Sequence, residues 1–172
     1  MSISEMISEQ KLQERIAELG GQIKADYNGK EITLIGSLKG GVMFMVDLSK
    51  HLDPATTEFE FVEASSYGDA KESSGEVKLS KGLSGKLEGK HVLIVEDIID
   101  TGLTLGFLID HLKTFKPASI KICVMLNKPE KRAIKNIDVD YIGFDIANEF
   151  VVGYGLDYKG KYRNLRYIGS VK

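Results

Sequence analysis

At 172 residues, the chain fits one domain long enough to bury a sizeable core, and its 42% apolar and 28% charged residues are ordinary for a globular protein. A formal net charge of −2 excludes any general attraction to nucleic acid or to an anionic membrane surface. One cysteine, Cys123 inside the apolar run IKICVML, excludes an internal disulfide and reads as a small core residue, and no Cys/His cluster suggests zinc.

The N-terminal MSISEMISEQKLQ has no basic segment followed by an apolar core, so no signal peptide is expected. No run approaches transmembrane length, and the expectation is a cytoplasmic protein without a membrane partner. Leu12, Ile16, Leu19, Ile23 and Tyr27 recur at helical spacing and predict an amphipathic helix over 8–27. Gly20-Gly21 falls inside it, as a point of close packing or an early break. A strand is predicted at 32–37, ended by Leu38-Lys39-Gly40-Gly41, then a helix through Met43, Phe44, Val46, Leu48 and His51 that stops before Pro54. Residues 59–64 alternate as a strand.

Residues 67–90 turn polar and carry five glycines, with too little apolar surface to offset the entropy of ordering. A strand of the same sheet follows at once, so this stretch reads as a loop within one domain, mobile over 66–80 and placed to act as a lid. A short hairpin is expected around 76–79. Val92, Leu93, Ile94 and Val95 then form a buried strand that breaks at Glu96 and Asp97. Leu105, Leu108, Ile109, Leu112 and Phe115 mark the next helix. Strands are predicted at 119–126 and 139–144, followed by FVVGYGLDY at 150–158 and a last alternation near 167–171. Strands alternating with helices predict an α/β domain with a largely parallel central sheet flanked by helices. Its ligand belongs beyond the carboxyl ends of the strands.

The chemistry concentrates in HVLIVEDIIDTGLTL, residues 91–105. A strand that ends in carboxylates and enters a Gly/Thr turn at a helix N-terminus suits a phosphorylated sugar. Backbone amides and hydroxyls of Thr101, Gly102 and Thr104 can hold a phosphate monoester. Glu96 and Asp97 can accept hydrogen bonds from ribose hydroxyls, and Asp100, beyond Ile98 and Ile99, stands where a base could reach a nucleophile. The plainer alternative is that Asp100 or Thr101 caps the helix and the acid pair is solvated.

Lys39, Gly40 and Gly41 precede a second helix N-terminus and could form a second phosphate pocket or an ordinary strand–helix turn. Ser66-Tyr67 opens the polar loop. Lys128 ends a strand and could donate to a carbonyl oxygen or stay solvated. Phe150 offers a ring for stacking, Val151 to Asp157 offer backbone edges, and Asp157 could hold a divalent cation. Basic residues thicken towards the end of the chain, at Lys159, Lys161, Arg163, Arg166 and Lys172, as a solvated tail or the cationic wall of a polyanion site.

Taken in order, 38–41, Ser66-Tyr67, 96–104, Lys128, 150–158 and Arg163 resemble the hypoxanthine-guanine branch of the type I phosphoribosyltransferases, over essentially the whole chain. The resemblance implies one domain over 1–172 with a small hood built from the chain ends, and a cis Leu38-Lys39 peptide. It implies transfer of the ribose phosphate of phosphoribosyl pyrophosphate (PRPP) to hypoxanthine or guanine, a purine-salvage reaction that yields IMP or GMP and pyrophosphate. The implied substrate contacts are Lys39, Gly40, Ser66, Tyr67, Glu96, Asp97, Ile98, Asp100, Thr101, Gly102, Thr104, Lys128, Phe150, Val151, Asp157 and Arg163. Mg²⁺ is implied at Glu96, Asp97 and Asp157, with Asp100 as general base and a homodimer or homotetramer as the assembly. Ser37 and Gly155 read as loose positions beside the motifs. The alternatives are a transferase for another base, such as xanthine, and a regulator of the same fold that senses PRPP or nucleotides. The acidic composition argues against a nucleic-acid partner.

Overall fold

The computed structural model describes residues 1–66, 77–83 and 85–172. Strands β2 (Ile32–Ser37), β5 (His91–Ile99) and β6 (Ser119–Asn127) are near-continuous apolar runs, as strands covered on both faces must be. With β3 (Thr57–Ser66) and β7 (Tyr141–Asp145) they pair in parallel, and β4 (Val77–Lys81) closes the edge antiparallel to β3. The order across the sheet is β4-β3-β2-β5-β6-β7. The predicted α/β class and largely parallel sheet are found, and β4 pairs where a hairpin was expected.

The two-residue period of the strands sorts the core into two layers. Leu34, Leu93, Val95, Cys123 and Met125 face helices α1 (Glu9–Tyr27) and α2 (Val42–Ser49). Ile35, Val92, Ile94, Ile122 and Val124 face α3 (Leu103–Lys113), which contributes Leu105, Leu108 and Leu112. Helix α1 runs unbroken through Gly20-Gly21. Close packing is the reason for the first glycine, because a Cβ on Gly20 would lie 2.4 Å from Cβ of His51.

Two features differ from the sequence reading. Strand β5 does not break at Glu96 but continues to Ile99, because β6 offers backbone partners that far, with Ile98 opposite Leu126 and Ile99 opposite Asn127. The two acids are therefore on a strand rather than in a loop. The second difference is β1 (Ile3–Ile7), which the sequence did not mark as a strand. It pairs antiparallel with β9 (Ile168–Val171), which in turn pairs with β8 (Val151–Val152). This three-stranded sheet joins both chain ends beside the sheet's carboxyl edge, the small hood that the resemblance implies. No helix among the described residues is long and apolar enough to cross a membrane.

Candidate active site

The ends of β2, β3 and β5 open into a cleft of about 240 Å³, lined among others by Ser37, Gly40, Glu96, Asp97, Asp100 and Thr101. At the start of α3 the cap position is Gly102, with φ +87° and no side-chain cap. Asp100 therefore does not cap the helix, and the first amides of α3 are left for an anion, apart from Leu103 N, which donates to Thr101 Oγ1 at 3.3 Å. Ala133 N and Ile134 N both donate to Thr101 O (2.9 and 3.0 Å), bracing this turn from behind.

The loop after β2 forms the opposite wall. Its Leu38-Lys39 peptide is cis, as implied, and Gly41 N donates to Ser37 O at 2.9 Å. A Cβ on Gly40 would sit 1.7 Å from Asp97 Oδ2, so this loop touches the end of β5 and only glycine fits there. Helix α2 begins directly behind, again without a side-chain cap.

Glu96 is buried between these walls. Burial pushes its carboxyl well above the usual range, Asp97 pushes it further, and a hydrogen bond with Ser37 opposes both. Asp97 is raised chiefly by burial, while the Ile98 and Asp97 backbone and the Arg163 guanidinium oppose this. A carboxyl whose pKa is higher folded than unfolded loses stability as pH rises from its unfolded value, about 4.3 for Glu, through its folded value. Glu96→Gln removes that penalty. Its melting temperature should exceed the wild type's by about 3 °C or more near pH 8.5, with the gap narrowing near pH 5. A gap independent of pH in calorimetry would show that the Glu96 carboxyl is not held protonated.

Lys128 follows β6 and is only 6% exposed. Its backbone N donates to Ile99 O at 3.0 Å, tying the end of β6 to the end of β5. Burial pulls its ammonium below the usual lysine range, Asp100 opposes this, and Lys131 adds to it. Lys128 and Asp100 thus share one electrostatic environment. Phe150 is 52% exposed, with its ring edge-to-face on Tyr158 (5.7 Å between centroids, 84°), so it is not core and has a face free for stacking. Val151 is buried in β8.

Asp157 and Arg163 form an ion pair at 3.0 Å. Asp157 Oδ2 also accepts from Gly160 N (2.7 Å), and Arg163 Nη1 donates to Gly155 O (2.6 Å). Among the described residues no three Asp, Glu, His or Cys side chains gather closely enough to hold a metal by themselves. Glu96 is engaged by Ser37, and Asp157 by Arg163. Ser66 ends β3, whereas Tyr67 and most of the expected lid lie outside the described residues.

A family model described as a phosphoribosyl transferase domain matches residues 3–159. The chain belongs to the phosphoribosyltransferase family. A Bacillus subtilis protein named hypoxanthine-guanine phosphoribosyltransferase is 47% identical over 97% of this chain and 92% of its own length. The crystal structure of a protein of that name from Bacillus anthracis superposes with a TM-score of 0.94, at 46% identity, covering 99% of this chain and all of the other. A Listeria innocua protein named bifunctional protein TilS/HprT is 50% identical over 97% of this chain, which spans only 26% of that longer relative.

Within this phosphoribosyltransferase fold, two positions read as loose are not. Ser37 is buried and holds Glu96. Gly155 has φ +100°, and a Cβ there would lie 2.0 Å from Gly40 O, so the segment after β8 rests directly on the β2–α2 loop. Neither contact has a local sequence signal, because each partner lies far along the chain. Lys131 and Arg132 also reach the site, and sequence reasoning passed over both. Lys131 pairs with the Asp100 carboxylate, and Arg132 Nε reaches the Asp100 carbonyl at 3.4 Å.

Proposed function

We propose that the protein transfers the 5-phosphoribosyl group of PRPP to N9 of a 6-oxopurine, hypoxanthine or guanine, releasing pyrophosphate. The observation that carries this reading is the junction of two strand ends, where the enclosed Lys128 bonds through its backbone N to Ile99 O, next to Asp100 and the open phosphate turn. One charged acceptor and one charged donor at a strand end suit a purine that must lose a proton while its O6 is held.

The 5-phosphate sits on the amides and hydroxyls of 101–104, and the ribose hydroxyls on Glu96 and Asp97. Lys39 and Arg163 place positive charge where the pyrophosphate develops as the C1–O bond breaks. The purine stacks on Phe150, with its 2-position facing the backbone of 151–157. As N9 bonds to C1, the proton at N7 passes to Asp100. Mg²⁺ fits Asp97 and Asp157, hard oxygen donors too few for an all-protein cage but suited to a cation that arrives with phosphate oxygens. When bound, it neutralises charge on the leaving pyrophosphate. Cytoplasmic purine salvage and a homodimer or homotetramer belong to the same proposal.

Incubation with PRPP, Mg²⁺ and a panel of hypoxanthine, guanine, xanthine, adenine, orotate and uracil tests it. Nucleotide formation from hypoxanthine or guanine is the expected result. Turnover of adenine or a pyrimidine instead, or nucleotide binding without any turnover, would replace it by another transferase or a regulator. Gly155→Ala should raise the KM for PRPP by about 10-fold or more, because the added methyl displaces the Lys39-Gly40 loop. An unchanged KM for PRPP would show that this loop does not hold the pyrophosphate.

A further inference from the structure

Lys131 lies at the end of the short 3-10 turn Pro129–Lys131, immediately after the enclosed Lys128. Its Nζ is 3.6 Å from Asp100 Oδ2. The turn cannot drift from the loop it faces. Lys131 N donates to Lys128 O at 3.2 Å, and the residues just beyond it are bonded to Thr101 O. Arg132 joins the Asp100 carbonyl to Asn127 Oδ1, and Asn127 Nδ2 donates to Asp145 Oδ1 at 2.7 Å. The other carboxylate oxygen, Asp100 Oδ1, is buried and has no hydrogen-bond partner. A buried acceptor without a partner costs stability, and native proteins keep few of them. Here one oxygen faces the Lys131 ammonium while the second is enclosed and unpaired, so among the described residues an ion pair and no hydrogen bond sets the rotation of this carboxylate.

We propose that Lys131 is a positioning residue for the transfer reaction: by pairing with Asp100 Oδ2 it fixes the rotation of the carboxylate that takes the purine proton. The inference rests on Asp100 being the proton acceptor. An exposed pair of this kind adds little to folding stability, so its effect belongs to the reaction.

The test is a double-mutant cycle read by single-turnover nucleotide formation from PRPP and hypoxanthine, with substrate affinities and melting temperatures measured alongside. Lys131→Met should slow the single turnover by about 10-fold, with both affinities within about 2-fold of wild type. Lys131→Arg, which keeps the charge, should restore most of the rate. In an Asp100→Asn background, Lys131→Met should cause no further loss, because the group it positions is already gone. An unchanged rate in Lys131→Met beside a slow Asp100→Asn overturns the role of Lys131 alone. Equal losses in both backgrounds overturn it as well, since Lys131 would then act elsewhere. A wild-type rate in Asp100→Asn removes the proton-acceptor reading, and the positioning role falls with it.

Discussion

Asp100→Asn is expected to slow phosphoribosyl transfer by about 10²-fold or more while PRPP still binds, the usual scale for a lost general base. The site gives the physical reason. Asp100 stands between the phosphate turn and Lys128, one of its oxygens is buried and unpaired, and it plays no part in capping α3. Asparagine keeps the volume and one oxygen acceptor, yet it cannot take up a proton. The turn proposed to hold the 5-phosphate is braced by Ala133 and Ile134 through Thr101 O, not through the Asp100 carboxylate, so sugar-phosphate binding should survive. Single-turnover measurements are the right check, because product release can hide a slower chemical step. Near-normal single turnover would remove Asp100 from proton transfer.

How far the sequence spoke depended on how local each signal was. The β5–α3 unit is a continuous stretch in which strand run, acid pair, Gly/Thr turn and amphipathic helix follow one another. Each part is set by neighbours along the chain, and all of it was readable. The parallel sheet was readable too, since β2, β5 and β6 are apolar on both faces. Strand β1 was not, because ISEMI has little alternation of its own and becomes a strand only against β9 at the other chain end. The continuation of β5 past Glu96 failed for the same reason, being decided by what β6 offers opposite.

The site shows the same division. Lys39, Glu96, Asp97, Asp100 and Lys128 belong to motifs that could be read one at a time, and the fold brings their strand ends to one edge. Ser37, Gly155 and Lys131 matter through what they touch. A serine holding a buried acid, a glycine pressed on another loop's carbonyl and a lysine reaching an aspartate leave no pattern in the sequence. Lys131 in particular stands in PEKR, which reads as an ordinary charged turn.

Lys128 should decide which bases the enzyme accepts. Its ammonium offers only donors and is almost wholly enclosed at the end of β6. A 6-oxopurine presents O6 as an acceptor, whereas adenine presents an amino group, leaving donor against donor. A mismatch of that kind in a buried site costs about 1–3 kcal/mol, and each 1.4 kcal/mol is about a factor of ten. The exposed Phe150 ring would stack on any purine and cannot make this distinction, so in the proposed site the choice rests on Lys128 and the backbone of 151–157. The wild type should therefore favour hypoxanthine or guanine over adenine by about 10- to 100-fold or more in kcat/KM. Lys128→Ala should lose most of its kcat/KM for the oxopurines without gaining adenine, since alanine supplies neither donor nor acceptor. The PRPP affinity should change little, because Lys128 follows β6 and is not part of the 101–104 turn proposed to hold the phosphate. Robust conversion of adenine to AMP by the wild type, or unchanged kcat/KM for hypoxanthine and guanine in Lys128→Ala, would place recognition of the 6-position on another group.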